Sequence, residues 1–527
     1  MKKKFFCFLL LFILFGCTNN NNNDNNVETK NNLEEKELVN YVEKDNFSNS
    51  MFSVEGFAKN HVNARDNLKE TDDNYMVASN ESEFLQGLNL SRQNKVNVIE
   101  VTNDLDLGWK SLNEIDGNNG KTIYSKLRDK TDEKKFGGTT MTSSIIKETG
   151  ISEVEINAKH LTIFSKNNST IKHAMFKIGS SEDIIIRNLS FDEIWQFEDS
   201  TDINLQNIGD NDMKSWSYFK VNKSDYIWFD HLTFGKAYDT LIDSENGSKG
   251  VTISWCKFLG GNDNEYYTNH MNELEEKYLN GTLEFVFYKY LRDSGLSFED
   301  IFDLYKGQKK GFMIGAGVEP YNSEWEDNKN LELTIVNTYL KDLQDRLPRV
   351  RGGSAHIYNV YLDNNDIYET ISRIKKYDIY NNLIKGLENK KWHFNLTNQA
   401  MVTTNGAGVK FQNSIFEGVE DIIINNNQSE DWLGEPTYYV NPLYTGSYLV
   451  EDCIYKVKDL INYRGNSWDL ESPFVSKRLT YLNFRWNTPS KSLPYDPTLI
   501  EMNDLKDILN QYAGAGKVKI DWLKVNY

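Results

Sequence analysis

The sequence predicts an all-β fold, a parallel β-helix, because one short strand pattern returns at near-regular intervals along the middle of the chain. Each segment alternates apolar and polar residues, meets a small polar residue, and continues with a bulky apolar one. The six segments are residues 183–191, 226–234, 251–258, 333–339, 356–361 and 409–416. Alternation is the strand pattern, and a residue such as Asn at the break favours a tight bend because it tolerates unusual backbone angles.

The spacing between the breaks supports a solenoid. Cys256 follows His231 by 25 residues, and Asn359 follows Asn337 by 22 residues. A repeat of about this length is typical of stacked units that bury their apolar faces against one another. A two-sheet sandwich is the alternative, but it favours Asn-Gly and Asp-Gly hairpin turns, and these pairs are few in the chain.

Two segments depart from the strand pattern. Residues 262–308 are interpreted as a helical insertion that leaves one turn of the solenoid, with a helical run over 282–292 and a second short helix capped by Ser297. Insertions of this kind lie on one face of a solenoid, often the binding face. Near the C-terminus, residues 504–512 have helical spacing, and we expect this helix to cap the end of the β-helix or to strap its side.

The N-terminus has the composition of a targeting segment. Three lysines precede an apolar run, Phe5–Phe15, that is too short to span a bilayer and ends in Leu-Phe-Gly-Cys at Cys17. We interpret residues 1–17 as a bacterial lipoprotein signal with lipidation at Cys17; an ordinary secretory peptide is the alternative. Residues 18–45, rich in Asn and then in Glu and Lys, are predicted to be a flexible tether before a folded domain over 46–527. We therefore expect an extracytoplasmic protein, anchored at the cell surface or in the periplasm, or secreted.

Two cysteines remain for the folded domain, Cys256 and Cys453. Each lies in a strand-like or aromatic context. A disulfide is possible outside the cytoplasm, but such contexts favour two buried free thiols.

The charge distribution indicates an anionic ligand. The chain carries 59 Lys and Arg against 77 Asp and Glu, a net charge of -18, which argues against nucleic acid as the main partner. Within this acidic chain, Arg346, Arg349 and Arg351 stand within six residues. Arg349 and Arg351 share strand parity, whereas Pro348 interrupts the geometry before them. The cluster indicates a site that holds or ionises an anion; a surface salt-bridge ladder is the alternative.

Asp239 and Asp243 form a candidate metal site. They are four residues apart, after one predicted strand and before the next. Hard oxygen ligands grouped in this way suit Ca²⁺. Aspartates that cap a turn give the same pattern, so the spacing alone leaves both interpretations open.

Several motifs together resemble the pectate lyases of polysaccharide lyase family 1. The family patterns W-I-D-H, D-G-x-x-D, V-T-I-S-W, K-x-x-L-I-G and R-x-P-R-x-R-x-G-x-x-H-x-x-N occur here in family order. They correspond to residues 226–231, 239–243, 250–258, 310–315 and 346–359, with further matches at 55–58 and 513–516. The similarity covers roughly residues 50–527, once 262–308 is treated as an insertion.

The resemblance implies a right-handed parallel β-helix and β-elimination of α-1,4-linked galacturonan. It assigns Arg346 as the base that removes the C5 proton, Lys310 and Arg351 as binders of the substrate carboxylate, and Asp239 and Asp243 as Ca²⁺ ligands. The chemistry is consistent, because a cation beside the carboxylate stabilises the charge that develops on it. A free guanidinium stays protonated up to a pH of about 12, so we expect activity to rise with pH from neutral.

One departure from the family bears on the metal. Ser215 and Ser217 stand at positions where the family has aspartates before the W-I-D-H strand. Asp210 and Asp212 lie close by and could substitute through a shifted loop. This departure favours, to a small degree, a calcium-independent pectin lyase acting on methylated pectin. A non-catalytic β-helix that only binds acidic glycans is a further alternative.

The remaining candidates are interpreted as structural. Asp230, His231 and His356 are expected to belong to internal hydrogen-bonded ladders rather than to a catalytic dyad. The helical insertion is expected to form one wall of the substrate groove. We expect a monomer that meets polygalacturonate or pectin as its substrate and the membrane through its lipid.

Overall fold

Short strands coil about a common axis, and each turn of the chain contributes one strand to each of three parallel stacks. The structure, a computed structural model, describes residues 53–63, 65, 68–115, 123–127, 143–204, 215–315, 323–392, 394, 396–425, 446–456, 463–465, 484, 486–487 and 492–517. The strands in chain order are β1 Tyr75–Ala78, β2 Val98–Val101, β3 Leu105–Asp106, β4 Tyr124–Lys126, β5 Ser152–Ile156, β6 Lys159–Phe164, β7 Thr170–Lys172, β8 Ala174–Gly179, β9 Glu182–Arg187, β10 Ser190–Asp192, β11 Phe219–Asn222, β12 Asp225–Asp230, β13 Thr233–Phe234, β14 Ile242–Glu245, β15 Val251–Ser254, β16 Lys257–Phe258, β17 Phe312–Ile314, β18 Glu332–Lys341, β19 Arg349–Arg351, β20 Ser354–Asp363, β21 Gln399–Thr404, β22 Gly408–Gln412, β23 Ile415–Glu417, β24 Asp421–Asn425, β25 Ser447–Glu451, β26 Cys453–Lys456 and β27 Tyr463–Gly465.

The stacks are defined by parallel pairing between successive turns. Stack 1 contains β5, β8, β11, β14, β17, β19, β21 and β24, with β4 antiparallel at its edge. Stack 2 runs through β1, β2, β6, β9, β12, β15, β22, β25 and the first halves of β18 and β20. Stack 3 runs through β3, β7, β10, β13, β16, β23, β26 and the second halves of the same two long strands. The predicted parallel β-helix is therefore confirmed.

The predicted bends lie between stacks 2 and 3. At each bend one residue adopts the left-handed backbone conformation, with φ between 46° and 54°: Asn188, His231, Trp255, Asn337, Asn359, Asn413 and Asp452. Asparagine adopts this conformation more readily than most residues. In the third of these turns the bend residue is Trp255 and not Cys256, so the true interval after His231 is 24 residues.

Aromatic rings fill the interior in register with the turns. Phe191 and Phe234 stack at a centroid distance of 5.5 Å, and Phe234 and Phe258 stack at 4.7 Å. Phe176 and Phe219 do the same on the stack 1 side, at 5.4 Å. Because each turn places its inward residue over that of the previous turn, equivalent positions form continuous apolar columns.

Helices cover the first turns of the β-helix and flank its sides. They are α1 Glu81–Arg92, α2 Trp109–Ile115, α3 Ser144–Thr149, α4 Glu265–Leu279, α5 Val286–Asp293, α6 Phe298–Lys306, α7 Ser323–Asn328, α8 Asn365–Lys375, α9 Tyr380–Lys390 and α10 Leu505–Tyr512. Helix α1, which was not predicted, buries Phe84 and Leu88 in the core of the first turns. Helix α10 lies along β18 and β20, and Lys506 pairs with Glu417 at 3.0 Å. The C-terminal helix is thus a strap along the side.

Two helical segments form one layer, which we call the helical layer. Helices α4–α6 lie within the predicted insertion, and α5 begins at Val286 rather than at 282. Ser297 and Asp300 form a capping box at the start of α6, as the Ser297 cap predicted. Helices α8 and α9, between β20 and β21, were not predicted. Buried Asp300 joins the two segments, because Arg373 Nε lies 2.7 Å from its Oδ1.

Both cysteines of the β-helix, Cys256 and Cys453, are buried and free, as predicted. The predicted signal segment 1–17, its Cys17 and the tether 18–45 lie outside the described residues. No helix within the described ranges combines the length and the apolar character needed to cross a membrane.

Candidate active site

Stack 1 brings the predicted site residues together. Asp239 and Asp243 precede and begin β14, Lys310 precedes β17, and Arg346 precedes β19. These three strands are neighbours, with Asp243 opposite Met313 in β17 and Met313 opposite Arg349 in β19. Residues about a hundred positions apart in sequence therefore meet on one outer face of the β-helix.

Arg346 is held in an uncommon backbone conformation, with φ at 66°. Its N–H donates to Asp345 Oδ1 at 2.7 Å, and Gln399 Nε2 donates to the same oxygen at 2.8 Å. The next peptide, Leu347–Pro348, is cis. The turn is fixed on both sides, which gives the Arg346 side chain a defined origin.

Arg346, Arg349 and Arg351 form what we call the cationic cluster. Arg346 and Arg349 are only 9% and 8% exposed. Among the described residues, no carboxylate forms an ion pair with any of the three, and the buried Nε atoms of Arg346 and Arg349 lack a hydrogen-bond partner. Buried polar groups are normally paired. A cluster of arginines without a paired carboxylate is therefore suited to receive an anion.

Met313 separates two of the arginines. Its Sδ lies 3.2 Å from Arg351 Nη1 and 3.8 Å from Arg346 Nη1. Arg351 Nη1 also donates to Gly315 O at 3.2 Å. Sequence reasoning missed Met313, although it stands at the leucine position of the K-x-x-L-I-G motif and the strand parity of β17 directs it outward.

The crowding of positive charge shifts the pKa values of the cluster. Burial, followed by repulsion from Arg351 and Arg346, holds the pKa of Arg349 well below its usual range. Burial, followed by Arg346, lowers the pKa of Arg351 to about 10, against the attraction of Asp243 and Glu245. An anion bound at the cluster reverses both effects, since it favours the charged forms.

Lys310 and Asp239 are ion-paired in the structure. Lys310 Nζ lies 3.0 Å from Asp239 Oδ1, and both side chains are largely buried. Gln308 Nε2 ties their backbones together by donating to Asp239 O at 2.7 Å and to Lys310 O at 2.9 Å. Burial and then repulsion from Asp243 raise the pKa of Asp239 to about 6, while burial and then Arg346 lower the pKa of Lys310.

Asp243 is surrounded by hydroxyl groups. Ser217 Oγ lies 3.1 Å from Asp243 Oδ2 and 2.7 Å from Thr240 Oγ1, and Thr240 Oγ1 donates to the other carboxylate oxygen. Ser217, at a position where the family has an aspartate, thus contacts Asp243 through a hydroxyl group. Ser215 is only half-buried, and Asp210 and Asp212 lie outside the described residues.

The donor set around Asp239 and Asp243 fits an incomplete Ca²⁺ site. Two carboxylates and the hydroxyls of Ser217 and Thr240 are hard oxygens of the kind that Ca²⁺ uses, and it requires six to eight of them. Within the described part of the chain, no group of three or more His, Cys, Asp or Glu residues could hold a metal. Further oxygens, such as uronate carboxylates, are needed to complete the coordination.

The residues interpreted as structural lie in internal networks. Asp230 Oδ2 is 2.6 Å from Arg187 Nε and 2.8 Å from His231 Nδ1, and all three side chains are buried. Asp230 Oδ1 accepts from Ser254 Oγ at 2.8 Å. His356, also buried, bonds to Tyr495 OH at 2.9 Å, and burial lowers its pKa to about 3.

The helical layer borders the site. A cavity of about 30 Å³ separates α6 from the loops that carry the site residues. Its lining includes Trp195, Glu198, Lys236, Tyr238, Tyr305, Lys309 and Gln344. Lys309 directly precedes Lys310, and Gln344 stands two residues before Arg346. That the insertion forms a wall of the substrate groove stays a prediction. It is supported by this cavity, because residues of α6 and residues next to the site line it together.

The known proteins that this chain resembles are pectate lyases. The family model described as "Pectate lyase" matches residues 302–432. Pectate lyase B of Paenibacillus amylolyticus is 34% identical over 377 residues, which cover 71% of this chain and 88% of that protein. A pectate trisaccharide-lyase of Thermotoga maritima is 30% identical over 202 residues, 38% of each chain. The structure of pectate lyase pelN from Paenibacillus sp. 0602 aligns with a TM-score of 0.76 at 32% identity, covering 90% of this chain and 99% of that one. The shared fold is the right-handed parallel β-helix.

Proposed function

The chain belongs to the pectate lyase family and is a polysaccharide lyase, and on this basis we propose that it cleaves α-1,4-polygalacturonate by calcium-assisted β-elimination. The observation that carries the proposal is the cationic cluster, in which Arg346 and Arg349 are buried and no arginine has an ion-paired carboxylate among the described residues, beside Lys310 and two aspartates. A free uronate carboxylate is the anion that matches this arrangement.

In the proposed reaction, Lys310 and Arg351 hold the carboxylate at C6 of the uronate next to the scissile bond. The C5 proton is acidic because the carbanion charge spreads into that carboxylate. Fixed cations beside it stabilise the charge as it forms, and they act strongly because Lys310 is buried and Arg351 is partly buried.

Arg346 is the proposed base. It takes the C5 proton in its neutral form, the electron pair of the C5–H bond forms the C4–C5 double bond, and the bond from C4 to the glycosidic oxygen breaks. The departing oxygen acquires a proton from solvent. One product chain carries the 4,5-unsaturated end, and the other ends in a free hydroxyl group.

Calcium is proposed to bind at Asp239 and Asp243, where it supplies further positive charge to the uronate carboxylate. Ser217 and Thr240 contribute neutral oxygens where a third carboxylate is absent from the described set. Fewer charged ligands give weaker calcium sites, so we expect affinity to depend on the carboxylates that the substrate brings.

The proposed location is outside the cytoplasm. The lipoprotein pattern ending at Cys17 supports acylation of Cys17 and removal of the residues before it. The Asn-rich tether then allows the β-helix to reach polymer at a distance from the membrane. Mass spectrometry of the N-terminal peptide from the native membrane fraction tests this, and an unmodified Cys17 contradicts it.

The function is tested with purified full-length protein and two polymers, polygalacturonate and methylated pectin, each with and without a chelator. We expect ultraviolet absorbance of the unsaturated product to rise on polygalacturonate, to rise faster as the pH increases from neutral, and to stop with chelator. Product only on methylated pectin, unaffected by chelation, identifies a pectin lyase. Binding of polygalacturonate without any product identifies a glycan-binding protein.

A further inference from the structure

The Lys310–Asp239 ion pair joins two residues to which the proposed function gives different partners. Lys310 is to hold the substrate carboxylate, and Asp239 is to hold calcium. In the structure each instead neutralises the other, with Nζ 3.0 Å from Oδ1. Gln308 bonds to the backbone oxygens of both residues and keeps the two loops in register.

The two cations compete for the same oxygen. Asp239 Oδ1 has Lys310 Nζ within hydrogen-bond distance, and the pair is shielded from solvent, with side-chain exposures of 15% and 7%. A divalent cation that binds Asp239 and Asp243 together brings two charges to a point where repulsion from the ammonium is scarcely screened. A metal ion at Asp239 therefore disfavours the ammonium beside it.

We propose that the Lys310–Asp239 ion pair is a latch that calcium opens: binding of Ca²⁺ at Asp239 and Asp243 displaces the Lys310 ammonium from Asp239, and the ammonium then pairs with the substrate carboxylate. This inference rests on the proposed function and adds a second role for the metal. Besides placing charge at the substrate, the metal makes a substrate-binding lysine available.

The surroundings of Lys310 determine where the displaced ammonium goes. Glu198 and Asp345 attract it, whereas Arg346 and Arg349 repel it. Arg346 and Arg349 belong to the cationic cluster, so a uronate carboxylate bound there reduces their repulsion and offers the ammonium a new partner as Asp239 is lost. Without metal, Lys310 stays paired with Asp239, and the site then offers one positive charge fewer to an acidic polymer.

Calcium affinity in the absence of substrate tests the latch. The full-length protein is titrated with calcium chloride in a calorimeter, as wild type, as Lys310→Met and as Lys220→Met. Lys220, in β11, lies opposite Asp243, in β14, and its charge attracts Asp239 at longer range. It forms no ion pair with a described carboxylate. Lys220→Met therefore removes the same charge without removing a latch.

We expect Lys310→Met to bind calcium more tightly than wild type by at least about tenfold, and Lys220→Met to differ from wild type by a much smaller factor. Calcium should also raise the thermal midpoint of Lys310→Met more than that of wild type, because ligand stabilisation follows affinity. Equal or weaker calcium binding by Lys310→Met overturns the latch, as does an equal gain in Lys220→Met.

The latch and the proposed function fail in different ways. If calcium binds wild type and stimulates cleavage of polygalacturonate while Lys310→Met shows unchanged affinity, the latch is wrong and the lyase assignment stands. If none of the three proteins binds calcium in the absence of substrate, the latch is wrong, and the effect of chelator on polygalacturonate cleavage decides the calcium role. Cleavage that resists chelator means that the calcium role is wrong and the lyase activity stands.

Discussion

At the scale of single residues, the site depends on charged groups that are buried without their usual partners. Arg346 combines a left-handed backbone, a turn anchored by Asp345 and a buried Nε with no hydrogen-bond partner among the described residues. Arginine is uncommon as a base because its proton is hard to remove. The arrangement is intelligible if the side chain is placed for one proton transfer rather than for stability.

Replacing Arg346 by Ala is expected to reduce kcat on polygalacturonate by about 10³-fold, the usual contribution of a positioned base. The fold should persist, because Arg346 forms no ion pair with a described carboxylate and its loss relieves repulsion. Turnover is measured by ultraviolet absorbance, with the thermal midpoint as the control. Substantial residual turnover in a folded Arg346→Ala protein means that the base is elsewhere.

His173 shows how pH acts on stability rather than on chemistry. It is 3% exposed and lies between Asp106, 2.8 Å from Nδ1, and Glu193, 2.9 Å from Nε2. Burial by itself lowers the pKa of His173, but the two carboxylates outweigh burial and raise the pKa to about 9. Since this exceeds the unfolded value of about 6.5, the stabilisation is complete below that pH and is lost as the pH rises through 9.

Replacing His173 by Gln is therefore expected to lower the free energy of unfolding on the order of 3 kcal/mol at pH 6 and by much less at pH 10. Urea unfolding at the two pH values measures the difference. His160→Gln is the control, because His160 pairs with Asp183 but is 56% exposed, and its replacement should cost less than about 1 kcal/mol. A His173→Gln penalty that is the same at both pH values contradicts the prediction.

At the scale of elements, the bend between stacks 2 and 3 is stabilised by a ladder of asparagines. Asn359 Nδ2 donates to Asn337 Oδ1 at 2.8 Å, and Asn413 Nδ2 donates to Asn359 Oδ1 at 2.7 Å. The ladder also bonds to the segment that leads into α10, the C-terminal strap, since Asn359 Nδ2 donates to Thr498 O at 2.8 Å. One residue type thus supplies the backbone conformation, the contact between turns and the contact to the strap.

Replacing Asn359 by Ala is expected to lower the free energy of unfolding by about 3 kcal/mol or more, because buried partners lose their bonds and Ala disfavours the left-handed conformation. Asn359→Gly should recover about 1 kcal/mol of this loss, since glycine adopts that conformation freely. Denaturant unfolding of the two variants separates the two contributions. Equal stability of Ala and Gly at this position indicates that backbone conformation is unimportant there.

The helical layer depends on one buried carboxylate. Asp300 accepts from Arg373 Nε at 2.7 Å and from Tyr377 OH at 2.7 Å, which links α6 to α8. Replacing Arg373 by Ala is expected to cost about 2 kcal/mol, the value of a hydrogen bond to a charged group. Calorimetric unfolding measures the loss. Lys375→Ala in the same helix removes only an exposed contact to Glu420 and should change stability by about 0.5 kcal/mol or less.

At the scale of the whole molecule, the first and last described segments of the chain, 53–63 and 492–517, are joined across the flank of the β-helix. Glu55 accepts from Tyr358 OH at 2.6 Å and from Thr498 Oγ1, a residue 443 positions away. Tyr495 bonds to His356 and to Thr334 at 2.9 and 3.1 Å. The β-helix residues in these contacts, Tyr358, His356 and Thr334, belong to stack 2, whereas the candidate site lies on stack 1.

The acidity of the whole chain also has a consequence for its substrate. With a net charge of -18, most of the molecule repels a polyanion such as polygalacturonate. Positive charge concentrated at the cationic cluster is expected to attract such a polymer locally.

The sequence by itself determined the repeat, the bends and the family, because alternation, left-handed Asn positions and short motifs are properties of neighbouring residues. It identified Arg346, Lys310, Arg351, Asp239 and Asp243 as candidates, and the structure places them together, while their roles stay predictions. Helix α8 could have been found too, since Ile367, Ile371 and Ile374 follow the helical period. The sequence analysis placed one bend at Cys256, and the structure has it at Trp255. The local pattern of apolar and polar residues does not resolve a difference of one residue.

Only the tertiary structure decided which charges neutralise one another. Lys310 and Asp239 are 71 positions apart, and Ser217 is 26 positions from Asp243. Their contacts depend on the register of β11, β14 and β17, because each turn must close before the next strand can pair. Electrostatic energy in a buried site varies steeply with distance, so the state of the candidate metal site could not be obtained from spacing along the chain.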